Sequence, residues 1–85
     1  MYIHLGESTV VNVRDVVAII DLDHTTVSKS TRDFLTQAEK SGCVVNVSEE
    51  LPKSAVICMM EGVMRVYISQ ISPATLQKRY QAGRF

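Results

Sequence analysis

The sequence predicts an α+β fold, a small and mainly antiparallel sheet carrying two helices in the order β-β-β-α-β-β-β-α. Three observations lead there. Most of the chain falls into short β-branched runs separated by single glycines and polar turns. One segment near the middle and one at the end instead space their apolar residues as helices do. With 85 residues, 46% apolar and 21% charged, the chain has globular composition and length for one domain, residues 1–85.

The elements follow in order. Met1 to Leu5 and Thr9 to Val11 read as two strands of a hairpin with Gly6 at the apex of its turn. Asn12 to Asp15 is a bend. Val16 to Leu22 is β-branched and too short for an amphipathic helix, which predicts a third strand. Between Thr25 and Ser41 the apolar side of one helix is drawn by Val27, Thr31, Phe34, Leu35 and Ala38. Serines and threonines crowd its start as caps, and Gly42 stands where a left-handed C′ residue belongs. Cys43 to Val47 is a short strand, Ser48 to Ser54 a polar loop, and Ala55 to Met60 an apolar strand turned by Glu61-Gly62. In the strand Val63 to Ile71, alternation points Met64, Val66, Ile68 and Gln70 to the core. Ser72-Pro73 is an N-cap with proline at N1, opening a helix in which Leu76 and Tyr80 share a face and which Gly83 ends.

Charge narrows the function classes. Nine basic residues balance nine acidic ones, so no overall field attracts nucleic acid or anionic membrane. After Glu61, however, Arg65, Lys78, Arg79 and Arg84 follow with no acidic residue among them. A chain this short has a thin stability margin, which raises the expectation of self-association. No export signal opens it and no apolar run approaches the ~20 residues of a spanning helix, so the expected location is cytoplasmic, away from membrane. Cys43 and Cys58 are then expected as reduced thiols.

No chemistry-bearing constellation stands out. His4 and His24 lie in no metal-ligand spacing, and Asp21 and Asp23 beside His24 fall far short of a calcium loop. No phosphate-binding glycine loop is present, and nothing sets a base beside a serine or cysteine. The expectation is no metal, no cofactor and no catalysis. The basic residues offer more. Lys53, Arg65, Lys78 and Arg79 could converge on one surface, with Arg14 in the bend as a further cation, although an ordinary solvated face is the simpler reading of any such group.

Several stretches together resemble one family: Met1-Tyr2-Ile3-His4-Leu5-Gly6, Val13 to Ile19, Pro52-Lys53-Ser54, and Tyr67-Ile68-Ser69 running into Ser72-Pro73-Ala74-Thr75-Leu76-Gln77-Lys78-Arg79. These are similar to the RemA-like extracellular matrix regulators, over almost the whole chain. The resemblance implies a bacterial regulator of biofilm-matrix genes with a fold related to the LytTR domain. It also implies ring assembly, duplex DNA wrapped on the ring, and a RemA-like protein as a further partner. Arg14 matches the arginine-bearing turn of the family, whereas an arginine-rich stretch of the RemA branch is here Glu50-Leu51-Pro52-Lys53-Ser54. Two functions stay open: a DNA-binding homo-oligomer with Arg14, Lys53, Arg65, Lys78 and Arg79 as contacts, and a ring-forming adaptor that binds protein.

Overall fold

The computed structural model describes residues 1–22 and 28–82. Strands β1 (Tyr2–Gly6) and β2 (Thr9–Asn12) form the expected hairpin as a two-stranded sheet of their own. Gly6 pairs with Thr9, so Glu7 and Ser8 make the turn and Gly6 closes β1. Its φ of 121° and its position explain the glycine, because a Cβ there would come 2.9 Å from the Gln70 side-chain oxygen. The bend is a single 3-10 turn, Val13–Asp15, capped by Asn12 and held by the Val13 N–H donating to Met1 O at 2.9 Å.

Strand β3 (Val16–Asp21) follows, and helix α1 spans Lys29–Lys40. Its cap is Ser28, whose Oγ accepts from the Thr31 N–H at 3.2 Å. That is later than the serine- and threonine-rich run suggested, and Asp23, His24, Thr25 and Val27 lie outside the described residues. Gly42 takes the predicted left-handed conformation, φ 76°, and its N–H returns to Glu39 O. Strands β4 (Val44–Asn46), β5 (Ser54–Met60) and β6 (Val63–Ser69) precede helix α2 (Pro73–Ala82). Ser72 caps α2 through its Oγ, which accepts from the Thr75 N–H at 3.2 Å. Gly83 and Arg84 lie outside the described residues.

The larger sheet runs β3-β5-β6-β4. Its first three strands are antiparallel, while β4 joins β6 in parallel. That direction follows from the connection: β4 arrives from α1, not from a hairpin. Both faces are covered. Val56 and Cys58 of β5 face Ile3, Leu5, Val11, Val13, Val47 and Leu76 from the hairpin side and α2, whereas Ala55 and Ile57 face Ala38, Phe34 and Leu35 of α1. A strand buried on two sides reads as an unbroken apolar run, as β5 does. Strand β6 corrects the simple alternation. Val66 and Ile68 face the α1 side as predicted, but Tyr67 packs into the hairpin side and Ser69 is fully buried.

Two serines stitch the layers. Ser69 Oγ donates to Leu5 O at 2.7 Å and accepts from the Ile71 N–H at 3.0 Å, and Ser54 Oγ donates to Ile71 O at 2.9 Å. Ser69→Ala strands a buried carbonyl and an N–H, which costs about 1–3 kcal/mol per group left without a partner. A urea titration reads the loss. A change below about 0.5 kcal/mol would mean that water reaches the Leu5 carbonyl instead.

Candidate nucleic-acid interface

The sheet register decides which cations meet. In β6 Arg65 is opposite Cys58 of β5, and Cys58 is opposite Val16 of β3. The three form one row across the sheet and share one face, with neighbouring strands about 4.8 Å apart. Val16 directly follows the turn that carries Arg14. Exposed Arg65 and exposed Arg14 therefore belong to one end of the molecule. The turn makes Arg14 a fixed platform. Asn12 Oδ1 accepts its backbone N–H at 3.1 Å and Val13 is buried beneath it. Among the described residues its guanidinium makes no hydrogen bond or ion pair, which leaves its charge open to an external anion.

Lys78 and Arg79 lie on the last turns of α2. Gln77 and Tyr80 of the same turns line a groove with Val16–Ile19, which brings this stretch to the start of β3. Arg79 is committed elsewhere: its Nη1 donates to His4 O at 2.7 Å and ties α2 to the outer face of the hairpin. Across 75 residues, no sequence signal announced that contact. His4 in turn donates from Nε2 to Glu7 O at 2.7 Å, an ordinary turn closure. Lys78 is exposed and, among the described residues, makes no hydrogen bond or ion pair.

Lys53 does not join this group. Its backbone bonds Ser69 O and the Leu22 N–H, at the other end of β5, five residues or roughly 16 Å from Cys58. The expected convergence of Lys53 with Arg65 does not occur, because the strand between them is straight and unbroken. Around Lys53 the surface is acidic. Glu49 and Glu50 border an open hollow with Asn46, Ser48 and Pro52, and Glu7 joins them along its rim. Glu7 was missed in the sequence because the hairpin turn reaches this rim only in three dimensions.

Cys58 is fully buried, and its pKa is raised to about 11 by burial, with the Asp15 carboxylate adding to the effect. The neutral thiol is thus favoured on folding. Below the pKa of an unfolded thiol, both states are protonated and the stabilisation is whole; as pH rises from about 9 to about 11, it is lost, because only the unfolded chain ionises. At pH 8 native protein should alkylate at half-buried Cys43 and spare Cys58 until denaturant is added. Peptide mapping after iodoacetamide treatment reads this, and equal labelling of both in the native state would contradict it.

Fold and site together define a three-layered α+β domain: a mixed sheet with the hairpin and α2 on one face and α1 on the other, and a 3-10 turn that presents Arg14 at one end. The chain belongs to the RemA-like family, described as extracellular matrix regulatory protein A-like, whose model matches residues 2–80. It is also 38% identical over 81 residues to extracellular matrix regulatory protein B of Bacillus subtilis strain 168, covering 95% of this chain and 91% of that protein. Among the described residues, no helix is long and apolar enough to cross a membrane.

Proposed function

We propose that this chain is a DNA-binding, homo-oligomeric transcription regulator of bacterial biofilm-matrix genes. It acts in the cytoplasm through a LytTR-related fold and without a cofactor. Duplex is held mainly through phosphates on a ring-like assembly. Family membership, and a relative whose name describes a matrix regulatory protein, support the regulatory half of this reading. The observation that carries the DNA half is the uncommitted guanidinium of Arg14, set on a rigid turn at the end of the sheet that also holds Arg65. A neutral subunit draws little DNA by itself. Repeated around a ring, the same two or three cations line up as a basic rim, and phosphate contacts multiply with subunit number.

The test is a gel shift with long duplexes of unrelated sequence across a salt series. Phosphate-driven binding falls steeply as salt rises and varies little with sequence. A parent protein that never shifts DNA would remove this reading. The adaptor function would then stand, and one observation favours it: the acidic rim of Glu7, Glu49 and Glu50, which repels phosphate and suits a basic protein partner such as a RemA-like protein.

A further inference from the structure

The hairpin buries one face and leaves the other open. Along β1 burial alternates, with Ile3 and Leu5 inside and Tyr2 and His4 outside. On β2, Val10 stands opposite His4 and Asn12 opposite Tyr2, so these four share the outer face. Tyr2 is 69% exposed and Val10 54%. Two flat rings therefore project from one strand two residues apart, a spacing of about 6.8 Å. A cation stands at each end of the pair. Arg79 Nη1 is held on His4 O at 2.7 Å, and among the described residues the other N–H groups of its guanidinium bond nothing. Arg14 follows two residues after Asn12, the partner of Tyr2, and makes no ion pair among the described residues. Glu7, beyond His4, lines the acidic hollow, so phosphate is repelled at the turn and drawn along the rings towards Arg14.

The His4 ring adds a preference. A carbonyl oxygen only accepts, so the 2.7 Å contact between His4 Nε2 and Glu7 O places a proton on Nε2. In the neutral imidazole Nδ1 is then an acceptor, and among the described residues nothing donates to it. We propose that the outer face of the hairpin binds single-stranded RNA: one base stacks on Tyr2 and the next on His4, the phosphates run between Arg79 and Arg14, and His4 Nδ1 accepts from a 2′-hydroxyl. Exposed rings flanked by cations suit unpaired bases, because every base has a π-face. A duplex does not fit. Its bases follow one another at about 3.4 Å with their faces covered, half the spacing of the rings. RNA is favoured over DNA because the 2′-hydroxyl is the group that tells them apart, and here an open acceptor lies beside a stacked base. The site shares Arg14 and Arg79 with the duplex reading but neither ring, so it stands without that reading.

Fluorescence anisotropy with a short labelled RNA single strand, and with the DNA strand of the same sequence, tests it on the parent, Tyr2→Ala, Tyr2→Phe and His4→Phe. Circular dichroism and urea midpoints near the parent's establish that each variant keeps the fold. The parent should bind RNA about threefold to tenfold more tightly than DNA, the worth of one hydrogen bond. Tyr2→Ala should lose about fivefold or more, whereas Tyr2→Phe, which keeps the ring, should match the parent. His4→Phe keeps a ring but no acceptor, so it should bind RNA and DNA alike. Sedimentation velocity without RNA should give Tyr2→Ala the parent mass. A parent that binds no single strand or does not prefer RNA, a Tyr2→Ala variant of parent affinity, or a His4→Phe variant that keeps the preference would overturn the proposal. So would a changed mass, which would make this face a contact between protein chains. Because duplex is absent from these measurements, failure here and failure of the gel shift are separate outcomes.

Discussion

Leu76→Ala should lower the unfolding free energy by about 2–5 kcal/mol, the largest loss expected from a single side chain here. Leu76 is fully buried, and it is the one wholly buried residue of α2. It belongs to one buried cluster with Ile3 and Leu5 of β1, Val11 of β2, and Val56 and Cys58 of β5. Truncation leaves a cavity where hairpin, helix and sheet meet, and the rigid strands around it collapse little. Helix α2 has weak support besides Leu76: Tyr80 is partly buried, and Arg79 holds one hydrogen bond to His4 O. The variant should therefore show both a lower urea midpoint and early loss of protection in the amides of α2, read by hydrogen exchange. A midpoint shift worth less than about 1 kcal/mol would mean that the helix does not depend on this anchor.

Replacing Arg14 and Arg65 together by alanine should produce the largest loss of DNA binding. Each phosphate contact removed flattens the slope of log affinity against log salt by about 0.9. Both side chains are exposed, so the fold should be unaffected. Unrelated duplexes should lose affinity alike, because phosphate contacts position the helix without reading bases. Lys53→Ala should do less. Lys53 follows Pro52, which lines the hollow bordered by Glu49 and Glu50, at the end of the sheet where the carboxylates oppose any phosphate contact. Lys78→Ala belongs with the arginines, whereas Arg79→Ala removes a structural tie as well as a charge and should also cost stability. Fluorescence anisotropy across a salt series measures all of these. If Lys53→Ala matches the arginine pair, or the pair binds as the parent does, the interface lies at the other end of the sheet.

Much of this protein was legible in its sequence because the signals are local. The hairpin, the left-handed Gly42 after α1, the Ser72-Pro73 start of α2 and the apolar β5 are each fixed by residues within a few positions of one another, where backbone sterics and hydrophobic period act directly. The resemblance to the RemA-like family was also carried by contiguous residues. Arg14 on a turn outside the strands was readable for the same reason.

Tertiary structure decided what depends on pairing across long separations. Alternation in β6 marked one buried face, but that the other is also covered, with Ser69 reaching Leu5, depends on a hairpin 64 residues away in the chain. The parallel β4–β6 pairing and the place of β3 at one end of the strand order are decided by the assembled sheet, which no periodicity encodes. The same holds for the cations. Lys53 and Arg65 are 12 positions apart in sequence, yet a hairpin sends them to opposite ends, while Arg14 and Arg65, 51 apart, come to the same end because the turn of Arg14 leads into Val16, which shares a row with Arg65 through Cys58. Hydrophobic patterning dictates which side of a strand is buried; only the completed sheet dictates which charges become neighbours.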